Sequence, residues 1–325
     1  MALDHYVSQV HLKKFYATDL GERMYAIRKS DLGRYTCDSY SQCRIEDGST
    51  NPYLQQPRII EEFLQSVEPK YNSALEKARR MKLDPEAVFA IVGFAAYVST
   101  CSPGGVRVNT KPLQGALNAT AELLDSQGKL PPAPPELGNR SLTQLLRDGD
   151  IFFKVDGKYP QSIGIRNIIR TSSVWGNSVW DILINDDAST PFFTSDFPIA
   201  IEPSGRRGVV NRILPLAPNL AIRIYPDMEQ RGKIDLGFPD LRVSLRNPKR
   251  QEIRDINRLI VQCAESVVYF SRDLFWIPAF VAKYQRFWIE AATLGFPVNE
   301  SKLILSSMTI AERASDAMQK RKTSS

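Results

Sequence analysis

Histidine and cysteine, on which many catalytic and metal sites depend, are scarce in this sequence. Its 325 residues include two histidines, His5 and His11, and four cysteines. The cysteines are Cys37, Cys43, Cys101 and Cys263. Cys37 and Cys43 do not combine with the two histidines in the spacing of a zinc site. Few, scattered cysteines are typical of a reducing compartment. We therefore expect a cytoplasmic protein, and no spacing identifies a metal site.

The motifs of common cofactor enzymes are missing as well. The sequence has no Gly-X-Gly-X-X-Gly, no phosphate-binding Gly-Lys-Ser/Thr and no HEXXH. The most apolar stretch, 87–98, is shorter than the roughly 20 residues that span a bilayer. Residues 1–10 contain neither the basic nor the apolar region of a secretory signal. These absences argue against nucleotide-cofactor enzymes, common zinc hydrolases and a membrane protein.

The overall composition is that of an ordinary globular protein. Hydrophobic residues make up 43% and charged residues 24% of the chain. Forty-two Lys and Arg against 36 Asp and Glu leave a net charge of +6. This mild excess permits a nucleic acid as partner without requiring one, and it leaves a protein partner equally open. Oligomeric state, substrate and any need for a divalent cation cannot be deduced from it.

The first half of the chain is predicted to be helical. Apolar residues four apart predict an amphipathic helix over 57–81, interrupted or kinked at Pro69. Asp84 has the position of an N-cap, and Pro85 that of the first helical residue. The helix that follows is apolar on nearly all sides, so we expect it in the middle of a domain. A further helix is predicted near 112–126.

A proline-rich segment at 128–139 separates this helical half, 1–127, from the rest of the chain, 140–325. Four prolines in five residues favour an extended, exposed connector. Because a loop within one domain has the same composition, a single-domain protein remains the alternative.

Alternation of apolar and polar residues predicts strands in the second half, at 178–186, 191–204 and 220–227. Because these strands follow one another closely, we expect a small antiparallel sheet. Helical periodicity returns over 246–272, and a second, aromatic-rich helix is predicted over 276–294. The expected fold class is therefore α+β: mostly helical, with a small antiparallel β unit in the second half.

Several motifs resemble one family in the right order. HYVSQVHLKKF, from His5, resembles the His-Tyr-Val-Pro signature that opens a mainly bacterial family of unknown function. WDILIND and FFTSDFPI, from Trp180 and Phe192, resemble its Trp-bearing strand and its Thr-Ser-Asp-Asn-Pro motif. PLAPNLAIRI and the helix of Asn257 match two later motifs. The resemblance implies a helical fold with a small β insert and no established activity. Some members lie near mobile-element and defence genes.

The chain departs from the family pattern at two places. The signature proline is Ser8 here. Some members have Arg-X-Pro after the buried helix, where this chain has CSP at 101–103. If that arginine is needed for function, it has been lost or Arg107 supplies it.

The resemblance and the residue chemistry together select His5, Asp196 and Asn257 as candidate catalytic residues. His5 precedes a helix whose dipole disfavours a charged imidazole, which suits a general base. Asp196 would orient that base or bind a divalent cation, and Asn257 would donate a hydrogen bond to developing charge. Each has a structural alternative: His5 as an anchor of the N-terminus, and Asp196 as a cap of backbone N–H groups. His11 shares a helix face with Leu12, which indicates a structural histidine.

Positive residues supply candidate phosphate ligands. They are Lys13, Arg250, Arg254 and Arg258. The three arginines recur every four residues, so they form one ridge on a helix, and each guanidinium offers a fork of donors suited to phosphate. The alternative is a solvated charged face paired with Glu252 and Asp255.

Two functional hypotheses follow. The first is a phosphodiester-directed hydrolase, most simply a nuclease effector in a bacterial defence or toxin setting. The second is a non-catalytic sensor or scaffold module that binds protein or nucleic acid, in which the motif residues form a structural hydrogen-bond network. The first requires the N-terminus, the Thr-Ser-Asp turn and the arginine helix to meet around an open cleft.

Overall fold

The computed structural model of the protein describes residues 3–206, 208–227, 234–298 and 301–313. Its helices are α1 (Gln9–Leu12), α2 (Ile59–Arg79), α3 (Pro85–Cys101), α4 (Pro103–Ser126), α5 (Leu142–Asp148), α6 (Lys158–Arg166), α7 (Ile168–Gly176), α8 (Arg250–Cys263) and α9 (Ile277–Tyr284). Its strands are β1 (Leu3–His5), β2 (Met24–Arg28), β3 (Arg34–Cys37), β4 (Arg44–Glu46), β5 (Val179–Ile184), β6 (Thr194–Ser195), β7 (Ala200–Pro203), β8 (Val210–Ala217), β9 (Leu220–Tyr225), β10 (Arg242–Arg246), β11 (Val267–Phe270), β12 (Phe287–Val298) and β13 (Ser301–Glu312).

Helix α3 forms the centre of the helical layer, as its sequence predicts. The Asp84 side chain caps it by accepting a hydrogen bond from the Ala87 backbone N–H at 2.9 Å, and Pro85 is its first residue. Nearly all of its side chains are buried, among them Phe94 and Tyr97. Helices α2, α4 and α7 pack against it. A helix without a polar face is stable in water only when it is enclosed in this way.

The described strands form four sheets, in both halves of the chain. A five-stranded sheet has the order β10-β5-β9-β8-β7, in which β10 and β5 run parallel and the other pairs antiparallel. A four-stranded antiparallel sheet has the order β3-β2-β11-β6. Strand β1 pairs with β4, and β12 with β13.

The prediction of a mostly helical fold with one small antiparallel β unit is therefore wrong. The α+β mixture is correct, but one sheet is mixed, and β1 to β4 lie in the half that was predicted to be helical. These four strands are three to five residues long. Strand β2 pairs with the neighbouring β3 and with the distant β11, and β1 pairs with β4. Segments of that length show too little periodicity to be recognised without their partners.

Two predicted helices end earlier than predicted because the apolar residues after them belong to strands. The helix predicted over 246–272 ends at Cys263, and Val267–Phe270 forms β11 between β2 and β6. Apolar residues at Val267 and Phe270 fit a helical stripe as well as a strand that is buried in a sheet. The helix predicted over 276–294 ends at Tyr284, and β12 follows from Phe287.

Among the described helices, no single one is long and apolar enough to cross a membrane, and α3 with α4 passes such a test only as a pair bent by 63°. The division of the chain at the proline-rich segment 128–139 stays a prediction.

Candidate functional site

His5 is the last residue of β1, where it lies opposite Arg44 of β4. Its Nε2 lies 3.1 Å from the Tyr40 carbonyl oxygen, and the Tyr97 hydroxyl donates to its backbone carbonyl at 2.6 Å. The imidazole is half-buried. These contacts hold the N-terminal strand against α3 and the loop that precedes β4. They fit the structural alternative for His5, in which it anchors the N-terminus.

His11 is completely buried and joins three elements. Its Nδ1 lies 2.8 Å from the Tyr71 hydroxyl of α2, and its Nε2 lies 2.7 Å from the Thr194 hydroxyl of β6. The imidazole ring stacks on Phe94 of α3 with ring centroids 4.7 Å apart. Burial lowers the pKa of His11 to about 3, so the imidazole is neutral in the folded protein. His11 is a structural residue.

Asp196 is 4% exposed and binds one turn of backbone. Its Oδ1 accepts a hydrogen bond from the Glu265 N–H at 2.9 Å, and its Oδ2 accepts from the N–H groups of Ser266 at 2.7 Å and Val267 at 3.2 Å. Burial, with the nearby charge of Glu265, raises the pKa of Asp196 to about 7. Asp196 thus caps backbone N–H groups, but those of a turn about 70 residues away rather than those of its own loop.

Lys29, which the sequence analysis did not select, binds the other side of the same turn. Its ammonium group donates to the carbonyl oxygens of Val261 at 2.7 Å, Ala264 at 2.6 Å and Phe287 at 2.7 Å. Only 3% of the residue is exposed, and burial together with the charge of Arg313 lowers the pKa of Lys29 to about 8. A single lysine after a short strand has no sequence signature, because its partners lie more than 230 residues away.

Asn257 is completely buried on α8. Its side-chain oxygen accepts from the Phe193 N–H at 2.9 Å, and its side-chain nitrogen donates to the Pro191 carbonyl at 2.8 Å. The side-chain amide therefore forms hydrogen bonds with the backbone that leads into β6, and these bonds connect α8 to that segment.

Replacing Asn257 with Ala is expected to lower the free energy of unfolding by about 2–3 kcal/mol, because the Phe193 N–H and the Pro191 carbonyl lose their partner in a buried position. Urea unfolding followed by circular dichroism measures the change. Gln251→Ala, on the exposed face of the same helix, is the matched control and is expected to change stability by less than about 0.5 kcal/mol. Equal effects of the two substitutions would show that the hydrogen bonds of Asn257 to Phe193 and Pro191 do not stabilise the fold.

The three candidate catalytic residues have separate sets of partners. Asp196 and Asn257 both bind backbone near β6 and α8, whereas the partners of His5 are Tyr40 and Tyr97. Burial raises the pKa of the Tyr6 phenol, and the charges of Cys43 and Asp196 contribute to the same shift.

Arg107 of α4 also reaches the turn that Asp196 caps. Its guanidinium binds Glu265 through both carboxylate oxygens, at 3.0 and 2.8 Å, and donates to the Ile289 carbonyl at 2.8 Å. It also lies over the Trp288 ring, 3.8 Å from the centroid. The turn is therefore bound by Lys29, Asp196 and Arg107 together.

The arginine ridge, Arg250, Arg254 and Arg258, lies on the outer side of α8. Arg250 donates to the Thr190 hydroxyl at 3.0 Å, and Arg254 lies 5.7 Å from the centroid of the Trp276 ring. Arg258 is 3.3 Å from Asp255.

Glu252, which the alternative to a phosphate-binding ridge pairs with these arginines, binds other arginines. It pairs with Arg223 at 2.8 Å and with Arg246 at 3.3 Å. Arg254 has no ion pair with any described residue. The fourth phosphate candidate, Lys13, is exposed in a short 3₁₀ helix, Lys13–Phe15.

The carboxylates near β5 do not form a metal site. Asp181 accepts hydrogen bonds from Tyr225 at 2.7 Å and Ser244 at 2.5 Å, and it pairs with Arg246 at 3.0 Å. Within the described ranges, no three His, Cys, Asp or Glu side chains are grouped so that they could hold a metal ion.

A family model described as Protein of unknown function (DUF4238) matches residues 4–273. This match confirms the family of unknown function inferred from the sequence, and it includes all three candidate catalytic residues and the arginine ridge. Strands β12 and β13 lie beyond it. No curated protein and no solved structure matches the chain.

Proposed function

The chain belongs to the family described as Protein of unknown function (DUF4238), and from that premise we propose that it is a non-catalytic module that binds a nucleic acid. The observation that carries the proposal is the use of the motif residues. Asp196 and Asn257 are buried, and their side-chain oxygens and nitrogen are engaged with backbone groups of the protein itself.

A catalytic group must offer an atom to the substrate. The two oxygens of Asp196 together accept three backbone hydrogen bonds, so a metal ion at this carboxylate would displace them. Five cavities and surface grooves occur among the described residues, and neither His5 nor Asp196 nor Asn257 lines any of the five. This arrangement supports the structural network over the hydrolase.

The surface best suited to a partner is the arginine ridge. Arg250 and Arg254 are exposed, and the nearby Glu252 is bound to other arginines. Arg250 has one ion pair, with Asp187 at 3.8 Å. Phe275, next to the Trp276 that Arg254 overlies, is 96% exposed. Guanidinium forks that bind phosphates beside an exposed ring that stacks on bases are the elements of single-strand recognition. Together they favour a nucleic acid over a protein as the partner.

We extend the proposal to the cytoplasm, because all four cysteines are free and buried, as is usual in reducing compartments. The bacterial defence setting rests on the family resemblance alone and stays a prediction.

Substituting Gln for all three arginines of the ridge is expected to weaken binding of a labelled single-stranded oligonucleotide roughly tenfold or more at low salt. The slope of log affinity against log salt should fall by about 2–3, because fewer counterions are released. Fluorescence anisotropy with RNA and DNA oligonucleotides between about 50 and 200 mM salt measures both quantities.

The matched control is a triple Gln substitution at Lys129, Arg147 and Lys154, which are exposed and lie away from α8. It removes the same charge and should leave most of the affinity in place. Equal losses in the two triple variants, or no binding by the wild type, would overturn the nucleic-acid proposal. Cleavage of the oligonucleotide by the wild type but not by a folded His5→Ala variant would instead establish the hydrolase.

A further inference from the structure

We propose that a cavity roofed by the β12–β13 hairpin binds a small amphipathic anion, whose carboxylate or phosphate pairs with Arg212 and whose apolar body lies between α4, α6 and β7. The site does not depend on the role of the motif residues, since none of them lines it. The proposed nucleic-acid surface and this cavity can therefore fail or succeed separately.

The cavity has a volume of about 330 Å³, within the range of small-molecule sites. Apolar side chains form most of its walls. They include Val108, Leu113, Ile163, Ile201, Ile289 and Met308. A second cavity of about 390 Å³ shares Thr171, Trp175, Arg212 and Met308 with it. Arg212 therefore lies where two adjoining cavities meet.

Among the residues that the structure describes, Arg212 has no compensating anion. It lies on β8, where its Nη2 contacts the Met308 sulfur at 3.3 Å and its guanidinium lies 5.7 Å from the Trp175 ring centroid. Its Nη1 is shielded from solvent and has no hydrogen-bond partner in the described part of the chain. No described carboxylate forms an ion pair with it. Burial lowers the pKa of Arg212 to about 10, which leaves the guanidinium charged at neutral pH.

A second arginine of the same sheet has carboxylate partners. Arg212 is opposite Ile224 in the register, so Arg223 of β9 lies on the other face of the sheet. There Arg223 is bound by Glu202 at 3.3 Å and Glu252 at 2.8 Å. A shielded charge without a partner is costly unless something neutralises it. Two arginines in one sheet thus have opposite surroundings, and only Arg212 opens onto a cavity.

The chemistry of the cavity selects the ligand class. A guanidinium presents parallel N–H donors that match a carboxylate or a phosphate. Ser99, Thr100, Asn109, Asn167 and Thr171 add neutral polar groups to a mostly apolar lining. An anionic head on a short apolar body satisfies both parts of the lining, whereas a free inorganic anion would leave the apolar walls unfilled.

The hairpin that covers the cavity is outside the matched family region, which ends at residue 273. Ile289 of β12 and Met308 of β13 form part of the lining, and Met308 directly contacts Arg212. This lining therefore depends on a segment that the family match does not include.

Titration calorimetry with decanoate, decyl phosphate and the neutral decan-1-ol tests the inference on the full-length protein. At least one of the two anions should bind the wild type roughly 10- to 100-fold more tightly than the alcohol. Which anion binds more tightly distinguishes a carboxylate ligand from a phosphate ligand. Equal affinity for the alcohol and both anions, or no binding at all, would overturn the proposal.

Arg212→Met, which keeps the apolar contact with Trp175, should lose the preference for the anion, whereas Arg147→Gln on the exposed face of α5 should keep it. If Arg212→Met does not fold, Val108→Phe, at a buried position of the lining, keeps the arginine and narrows the cavity, and it should weaken anion binding by a similar factor. A folded Arg212→Met or Val108→Phe protein that binds the anion like the wild type would show that the anion binds elsewhere.

Discussion

Lowering the pH from 6.5 to 3 is expected to destabilise the wild-type protein by about 4 kcal/mol more than a His11→Gln variant. Burial lowers the pKa of His11 from 6.5 to about 3. Below pH 6.5 the unfolded chain therefore binds a proton at this position that the folded protein does not bind. The stability contribution of the neutral imidazole is complete above pH 6.5 and is lost as the pH falls, by about 1.4 kcal/mol per pH unit.

Protonation of Asp196 changes stability with pH in the opposite direction to protonation of His11. The wild type must therefore be compared with the His11→Gln variant. Burial raises its pKa from 3.8 to about 7, so the folded protein binds a proton there between these two values and the unfolded chain does not. Its contribution to stability is complete below pH 3.8 and is lost as the pH rises to 7. Asp196 is present in both proteins, so the difference between the two stability profiles isolates His11.

Urea unfolding of the two proteins at intervals from pH 7.5 downward measures this difference. His5→Gln removes the only other histidine and is expected to keep the steep pH dependence of the wild type. Parallel profiles for the wild type and His11→Gln would mean that His11 takes up its proton in the folded state, against the geometry of its contacts with Tyr71 and Thr194.

Replacing Asp196 with Ala is expected to lower the free energy of unfolding by about 3–5 kcal/mol. The substitution leaves the backbone N–H groups of Glu265, Ser266 and Val267 without the carboxylate that accepts from them. It also removes a negative charge from the surroundings of the buried Lys29 ammonium. Asp196→Asn keeps one oxygen as an acceptor, so its loss should be smaller, about 2 kcal/mol.

Denaturant unfolding at neutral pH measures both losses. Asp255→Ala, a half-exposed carboxylate on α8, is the control and is expected to change stability by less than about 0.5 kcal/mol. Wild-type stability for Asp196→Ala would refute the structural assignment of the Thr-Ser-Asp motif.

The contacts of the turn after α8 explain why the loss of stability in Asp196→Ala should be large. Lys29 binds the carbonyl groups at the end of α8, and Asp196 binds the N–H groups that lead into β11. Arg107 holds the Glu265 side chain in the same turn. One irregular segment thus depends on three buried or half-buried charged groups from distant parts of the chain. The loss of Lys29 or Asp196 leaves buried backbone groups of the turn without partners.

The sequence alone was sufficient where a property depends on neighbouring residues. The cap at Asp84 and the apolar run after it predicted α3 and its burial, because both act within one or two helical turns. Alternation over 178–186 and 220–227 located β5 and β9 for the same reason. The motif order also identified the family.

Tertiary structure alone decided the rest. Val267 belongs to a strand rather than to the preceding helix because β2 and β6 supply its hydrogen-bond partners. Asp196 binds a turn 70 residues away, and Arg212 lies at a cavity whose roof comes from the C-terminal hairpin. Pairing, burial and the presence or absence of a counter-charge are set by contacts between residues far apart in the chain, and such contacts leave no periodic signal in a single sequence.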